Sequence, residues 1–161
     1  MIAAVLGVAV VFLLDRGTKV IVQQMLEGGP RVTGHGLISV VWHENEGVIA
    51  NVPLPIPVIV IVTIVVLAAV VTALLSAIRR GRAWTALSLG VLIGGALGNL
   101  YDRIVMGYVF DWILLFGRSA INIADVGIVA GALTYFAIVG QTAGSRIEDH
   151  GLSSNRSEEK P

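Results

Sequence analysis

The 21 residues from Val58 to Ile78 carry no charged side chain, and this run constrains the fold more than any other feature of the sequence. A helix of about 20 apolar residues is long enough to cross a hydrocarbon core of about 30 Å. The composition agrees, because 55% of the 161 residues are hydrophobic and only 14% are charged, whereas soluble domains carry about 25% charged residues. The sequence therefore predicts an integral membrane protein.

Three further apolar segments accompany this run, at 1 to about 25, 83–100 and about 119–140. The first has no basic start and no small-residue cleavage site before Asp15, so we expect a retained helix rather than a cleaved signal peptide. The predicted fold class is an all-α membrane protein in which residues 1–140 form four transmembrane helices. Residues 141–161 are polar and are expected to form a disordered cytoplasmic tail.

The loop between the second and third segments predicts the orientation. It contains Arg79, Arg80 and Arg82 and no acid, which is typical of a cytoplasmic loop. Four spans then place both termini in the cytoplasm and the connections 28–57 and 101–120 on the outer face.

The first outer connection contains a β-branched and aromatic run from Leu37 to Trp42, bounded by glycines and polar residues. Such a run predicts a strand in a small extramembrane β-sheet on the outer face. Trp42 and the apolar surface of this strand are expected at the level of the lipid headgroups. Pro53, Pro55 and Pro57 are expected to prevent a helix until the second span begins.

Several polar residues lie where a membrane helix should be apolar, so each needs a partner or a purpose. Asp15 and Lys19 are four residues apart, which predicts an ion pair on one face of the first helix; a direct role in a site is the alternative. Asn99, Asp102 and Arg103 follow the third segment and predict a polar helix end with an Asp102–Arg103 pair.

Gly90, Gly94 and Gly98 recur at every fourth residue of the third segment. Small residues at this spacing allow another membrane helix to approach closely. From the residues alone, packing is a sufficient explanation for these glycines.

Asp111 and Asp125 are the best catalytic candidates. Asp111 lies among aromatic and apolar residues of the second outer connection, and Asp125 opens the fourth segment. Two neighbouring carboxylates share one proton, because two like charges a few ångströms apart do not both ionise cheaply. The protonated acid can polarise a carbonyl while the ionised one takes a proton from water. A structural or proton-relay role remains open at this point.

Taken together, these motifs resemble bacterial lipoprotein signal peptidase, also called signal peptidase II. They occur in that family's order over roughly residues 5 to 140. The stretches Gly94–Arg103 and Asn122–Asp125 are specific in combination. The matching stretches are Asp15-Arg-Gly-Thr-Lys19, Asn45-Glu-Gly47, Gly94-Gly-Ala-Leu-Gly98-Asn99-Leu-Tyr-Asp102-Arg103, Val109-Phe-Asp111-Trp-Ile113 and Asn122-Ile-Ala124-Asp125.

The resemblance implies an aspartic endopeptidase that cuts prolipoproteins just before a diacylglyceryl-modified cysteine, at the outer face of the bacterial cytoplasmic membrane. It also implies that the outer sheet cradles the substrate. We further expect membrane lipid as a partner, no cofactor and a monomer, although the sequence leaves the oligomeric state open, since packing within the bundle is enough to explain the glycine groove. The implied catalytic dyad is Asp111 and Asp125. The implied supporting residues are Asp15, Lys19, Asn45, Gly47, Gly98, Asn99, Asp102, Arg103, Asn122 and Ala124.

No metal site is expected, because His35, His43 and His150 do not form a ligand pattern. The zero formal net charge offers no general electrostatic case for binding nucleic acid.

Three departures from the family pattern leave alternatives open. Val48, Ile49 and Ala50 follow Gly47 where the family has a small residue and then Phe, Ile121 replaces a common Phe, and only 13 residues separate Asp111 from Asp125. An inactive or divergent paralogue is therefore one alternative. The other is a small membrane module that binds a ligand or relays protons, which would distribute acids through the depth of the bundle.

Overall fold

The computed structural model describes residues 1–34, 36–47 and 54–158, with side chains as far as residue 142. His35, the divergent Val48–Ala50 stretch and Pro53 lie outside the described residues. The elements in chain order are α1 (Ile2–Leu26), β1 (Val32–Thr33), β2 (Ile38–Asn45), α2 (Ile56–Arg79), α3 (Ala83–Val105), β3 (Val109–Leu115), β4 (Ser119–Ile121) and α4 (Ile123–Glu158).

Among the residues that the structure describes, three stretches of helix are long and apolar enough to cross a membrane: Ile56–Arg79, Ala83–Val105 and Ile123–Thr142. Helix α1 is also long, at 25 residues, but Asp15, Arg16 and Lys19 interrupt its second half. A fourth span formed by α1 stays a prediction.

Helix α3 is the centre of the bundle. In its most apolar window 61% of the residues are buried, against 11% in α2 and 17% in α4, and α3 packs against all three other helices. Its glycines explain the close packing, because a Cβ atom at Gly94 would lie 2.6 Å from the carbonyl oxygen of Val8 in α1. The helix approach predicted from the glycine spacing is confirmed.

The four strands form one antiparallel sheet in the order β1-β2-β3-β4. Strand β2 confirms the predicted strand and continues to Asn45. Its pairing with β3 contains a bulge, because Val40 pairs with Ile113 and His43 with Asp111. Such an extra residue changes which way the following side chains point.

Strands β3 and β4 were not predicted, and the expectations of a loop around Asp111 and of a helix from about residue 119 were wrong. The two strands are joined by a tight turn in which Phe116 and Gly117 both have positive φ, at 52° and 65°, and the Arg118 N–H donates to the Leu115 carbonyl at 3.0 Å. Two consecutive positive φ angles match the twist of a hairpin. Helix α4 therefore begins only at Ile123.

Two other helix ends differ from expectation. Helix α2 starts at Ile56 and includes Pro57, since the first turn of a helix does not need the N–H group that proline lacks. Helix α4 extends to Glu158, through residues predicted to be a disordered tail. Extending an existing helix avoids the cost of nucleation. The domain boundary at residue 140 and the cytoplasmic placement of the tail stay predictions.

The sheet is fastened to the end of α1. Phe110 is completely buried and packs with Val22 and Leu26 of α1. The ring of Trp42 meets the ring of Phe110 edge-on, with centroids 5.0 Å apart, so Trp42 is half-buried in this contact. Because Asp111 adjoins Phe110 in β3, the anchoring of Phe110 also fixes the position of the acid.

Candidate active site

Asp111 lies in β3 and is almost completely buried, with 1% of its surface exposed. Its carboxylate accepts hydrogen bonds from Asn45 Nδ2 at 2.9 Å and from Asn122 Nδ2 at 2.6 Å. Burial raises the pKa of Asp111 to about 6 despite these bonds, and the charge of Asp125 acts in the same direction. A carboxyl with such a pKa can hold a proton close to neutral pH.

Asp125 lies in the first turn of α4. Its Oδ2 accepts from the Asn122 N–H at 3.1 Å, while its own N–H donates to Asn122 Oδ1 at 2.9 Å. This reciprocal arrangement is a capping box, which satisfies N–H groups that a helix start otherwise leaves free. The N-terminus of a helix also favours a negative charge, so Asp125 occupies a place suited to a carboxylate.

The side-chain amides of Asn99 and Asn122 connect the two acids. Asn99 Nδ2 donates to Asp125 Oδ1 at 2.7 Å, and Asn122 Nδ2 donates to Asn99 Oδ1 at 3.1 Å. Since Asn122 also donates to Asp111, Asn122 contacts both carboxylates. The two aspartates predicted to form a dyad are therefore brought to one place by a continuous hydrogen-bond chain.

A buried ion cluster adjoins this chain. Lys19 Nζ lies 2.8 Å from Asp15 Oδ2 and 2.6 Å from Asp102 Oδ2, and Arg16 also pairs with Asp102. Asp15, Lys19 and Asp102 have no exposed surface. The predicted Asp15–Lys19 pair is confirmed. The predicted Asp102–Arg103 pair is wrong, because Asp102 forms its ion pairs with Arg16 and Lys19 of α1.

The ion cluster reaches the elements that carry the dyad. Asp15 Oδ1 accepts the Ala124 N–H in α4 at 2.9 Å, and Asp102 Oδ2 accepts the Phe110 N–H in β3 at 3.3 Å. Gly98 provides the room, because a Cβ atom there would lie 2.6 Å from Asp15 Oδ2. Ala124, which precedes Asp125, and Phe110, which precedes Asp111, are therefore both hydrogen-bonded to acids of the ion cluster.

Arg103 points towards the end of β2 instead of pairing with Asp102. Its guanidinium donates to the Gly47 carbonyl at 3.0 Å and to the Asn99 carbonyl at 3.3 Å. The Gly47 N–H in turn donates to Asn45 Oδ1 at 3.0 Å. Because Asn45 Nδ2 bonds Asp111, Arg103 holds the segment that orients one acid.

A cavity of about 440 Å³ opens at these groups. Polar side chains, including both acids, form one part of its wall, and apolar residues of three helices and β4 form another. The sequence analysis named Val109 and Ile121 among the apolar and hydroxyl lining residues, which are Ile59, Thr63, Ala96, Val109, Ser119, Ala120, Ile121, Ile128 and Val129.

Known proteins share this sequence pattern. The family profile described as signal peptidase (SPase) II matches residues 7–140. The chain belongs to the signal peptidase II family. The resemblance first inferred from five short motifs is therefore confirmed over most of the chain.

Curated relatives of the signal peptidase II family match over a shorter stretch. The lipoprotein signal peptidase of Pseudomonas aeruginosa (strain UCBPP-PA14) is 41% identical over 73 residues, which cover 42% of this chain and 43% of the relative. The lipoprotein signal peptidase of Pseudomonas syringae pv. tomato is 43% identical over 73 residues, with 42% of each chain covered. The matched segment thus spans less than half the length of these relatives.

Two solved structures share the fold of this signal peptidase II family member. A bacterial membrane enzyme determined by the in meso method at 2.3 Å resolution has a TM-score of 0.73 at 23% identity, covering 88% of this chain and 90% of the other. A second, at 1.9 Å, has a TM-score of 0.70 at 23% identity, with 84% and 91% covered. At this identity the likeness shows the fold alone.

The structure brings the predicted site residues of this signal peptidase II chain into two adjoining groups. Within the described parts of the chain, no three His, Asp or Glu side chains are arranged to hold a metal ion. The sequence analysis did not identify Arg16 as a partner of Asp102, although an arginine within an apolar segment indicates a buried partner. In the first group, Asn45, Asn99, Arg103, Asp111 and Asp125 line the cavity, and Gly47 and Asn122 are hydrogen-bonded to them. The ion group contains Asp15, Lys19, Gly98, Asp102 and Ala124.

Proposed function

We propose that this chain is an aspartic endopeptidase that removes the signal peptide from diacylglyceryl-modified prolipoproteins, cutting just before the lipidated cysteine. The observation that carries the proposal is that Asn122 bonds both Asp111 and Asp125 at a cavity lined by both acids. The name lipoprotein signal peptidase, borne by the curated relatives, supports the substrate class.

The charges around the site support a dyad that holds one proton. Four acids, Asp15, Asp102, Asp111 and Asp125, lie among three cations, Arg16, Lys19 and Arg103. An uncompensated charge in a low-dielectric interior costs several kcal/mol, so roughly neutral clusters are favoured. Neutrality is reached when three of the four acids are ionised. Asp15 and Asp102 have direct cationic partners, so the shared proton belongs to the dyad.

We assign the proton to Asp111 and the negative charge to Asp125. The buried Asp111 has a raised pKa, whereas Asp125 benefits from the helix start. In the reaction Asp125 takes a proton from water while the water oxygen attacks the peptide carbonyl carbon, and Asp111 donates its proton to the carbonyl oxygen. When the intermediate collapses, the C–N bond breaks and the leaving cysteine nitrogen takes a proton from Asp125. One hydroxyl of the intermediate returns its proton to Asp111 as the carbonyl re-forms, which restores the starting dyad.

The cavity wall suits a substrate that carries lipid. Ile59 and Thr63 of α2 line one side, and Ile128 and Val129 of α4 line another. An apolar opening between two membrane helices allows acyl chains to remain in the bilayer while the scissile bond reaches the acids. The proposed site therefore accepts its substrate sideways from the membrane.

We place the site at the outer face of the cytoplasmic membrane, with four spans and both termini inside. Asp102 and Arg103 lie at one end of α3, and the arginine-rich turn lies before its other end, about 34 Å away for 23 residues. Basic turns favour the cytoplasm. Helix α1 suits a fourth span, because its charges are paired inside while Leu6, Val10 and Leu13 are exposed.

The direct test is cleavage of a diacylglyceryl-modified prolipoprotein by the full chain in lipid vesicles. Asp111→Asn and Asp125→Asn should each abolish product formation, while the amount of inserted, folded protein stays constant. Glu44→Gln is a matched control, because Glu44 is an exposed acid of the same sheet. Normal cleavage by either aspartate variant would refute the dyad.

The same vesicles separate the alternatives when substrate binding and internal pH are measured beside cleavage. A wild-type chain that binds the lipidated substrate without cutting it would be an inactive paralogue. A proton-relay module would instead change the internal pH of vesicles without cutting, and both acids would be needed for that proton flux.

A further inference from the structure

The end of the sheet farthest from the dyad carries three exposed apolar side chains, which we call the sheet tip: Leu37, Ile38 and Phe116. Their exposed fractions are 70%, 67% and 68%. The Phe116 N–H donates to the Leu37 carbonyl at 2.8 Å, so these two residues are neighbours, and Ile38 pairs with Leu115. Because adjacent strand residues point to opposite faces, the sheet tip is apolar on both sides.

Phe116 has an unfavourable backbone for a bulky residue. Its φ of 52° is positive, and within the described residues it is the one non-glycine residue with this conformation. Positive φ is uncommon outside Gly, Asn and Asp, and it is unfavourable for a bulky side chain. The ring does not recover this cost by burial, since it remains two-thirds exposed. A strained, exposed aromatic side chain points to a role outside the folded chain.

The charges around the sheet tip favour an anionic surface. Arg118 follows the turn and is exposed. The sequence contains no acid in positions 28–42 or 112–121. Basic residues beside exposed aromatic and aliphatic side chains are typical of segments that bind the interface of an anionic bilayer.

We propose that the sheet tip inserts edge-on into the headgroup layer of the membrane that holds the helices. The ring of Phe116 and the side chains of Leu37 and Ile38 enter the acyl boundary, while Arg118 contacts lipid phosphates. The membrane is the partner favoured by both the apolar surface and the charge. Two anchors, the helices and the sheet tip, then fix the sheet relative to the bilayer. This inference does not depend on the proposed peptidase activity.

A depth measurement tests the insertion directly. The chain contains no cysteine, so Phe116→Cys provides a single position for an environment-sensitive fluorophore. The labelled full chain is reconstituted at high dilution in phosphatidylcholine–phosphatidylglycerol vesicles that contain brominated acyl chains. We expect the label at 116 to be quenched several times more strongly than the same label at Glu44→Cys, the exposed control in β2. Equal quenching at both positions would overturn the proposal.

The same samples distinguish the membrane from a second copy of the chain. Insertion predicts a blue shift of the label that is independent of the protein-to-lipid ratio and weaker in vesicles without phosphatidylglycerol. A blue shift that grows with protein density would identify self-association and overturn the proposal.

A second variant tests the strain argument. Asparagine tolerates positive φ better than phenylalanine, so Phe116→Asn should leave the melting temperature in detergent unchanged or raise it. In the same background, a label at Leu37→Cys should lose most of its quenching by brominated lipid. A lower melting temperature together with unchanged quenching would show that the ring serves the fold and would overturn the proposal.

Discussion

Asn122 and Asp125 hold each other at the start of α4 through two reciprocal hydrogen bonds, from the N–H of each residue to the side chain of the other. The remaining polar group of Asn122, its Nδ2, donates to Asp111 Oδ1 at 2.6 Å. One residue therefore starts a helix and orients two acids. This double use makes Asn122 the most informative position for mutation.

Asn122→Ser should lower the rate of substrate cleavage by about 100-fold with little change in stability. Serine still caps the helix, but it has no amide to donate to Asp111, and a misplaced catalytic group costs about that factor. Asn122→Ala should lose a further ~1 kcal/mol of stability because the cap is gone as well. Single-turnover rates and melting temperatures separate the two effects. Normal cleavage by Asn122→Ser would show that the amide bond to Asp111 is dispensable.

Lys19→Met should destabilise the fold by about 3–5 kcal/mol, because it leaves Asp15 and Asp102 buried with fewer partners. The double variant Lys19→Met/Asp15→Asn should recover a large part of this loss, since it removes one positive and one negative charge together. Thermal unfolding in detergent gives the comparison, with Arg118→Met as an exposed control expected to stay within about 0.5 kcal/mol of wild type. Equal losses in the single and double variants would contradict the proposed charge balance.

The pH dependence should report the proton on Asp111. Its pKa in the folded chain is about 6, raised by burial from the ordinary value of 3.8. Below pH 6 the acid carries the proton required for donation, and above pH 6 it is increasingly ionised. We therefore expect kcat/KM to fall along an alkaline limb that starts near pH 6. A rate that stays constant up to pH 8 would argue against Asp111 as the proton donor.

The same raised pKa also affects stability. The folded chain binds more protons than the unfolded chain between about pH 4 and 6, so this contribution is complete below pH 4 and is lost as pH rises through 6. The upper bound is about 3 kcal/mol, from 1.36 kcal/mol per pKa unit. Asp111→Asn lacks this dependence. Its stability relative to wild type should therefore increase from pH 4 to pH 7, as measured by denaturant unfolding at each pH.

Gly98→Ala should destabilise the chain by about 1–3 kcal/mol and reduce cleavage, because the new methyl group would displace the Asp15 carboxylate. Gly17→Ala is the matched control in α1. No atom lies within 4 Å of a Cβ atom built there, so alanine should be neutral or stabilise the helix by up to about 1 kcal/mol. Similar melting temperatures for the two variants would show that Gly98 is not required for close packing.

Hydropathy predicted the helices well and the small sheet only in part. The uncharged run from Val58 to Ile78 lies within α2, since length and apolarity alone define such a helix. Strand β2 was recognisable from its β-branched residues. Strand β3 was not, because Asp111 interrupts its apolar run and its conformation is set by pairing with β2.

The contacts of the candidate site were likewise predictable from the sequence only in part. The proximity of Asp15 and Lys19 follows from helical spacing, so the sequence was sufficient. The partners of Asp102 and Arg103 come from α1 and from the end of β2, more than 50 residues away along the chain. Local spacing instead favoured a pair between these two neighbours. Contacts that depend on how helices and strands are arranged in space are not contained in a local pattern.

The missing side chain of Gly98 has a mechanical consequence. The carboxylate of Asp15 occupies the space that Gly98 leaves and also holds the start of α4 through Ala124. A slide of α1 along α3 would move the Asp15 carboxylate out of this space and would break its hydrogen bond to the start of α4. Helices α1, α3 and α4 are therefore locked in one axial register. Helix α2 packs mainly on α3 and has few buried residues of its own, so we expect any movement that admits the proposed substrate to occur in α2.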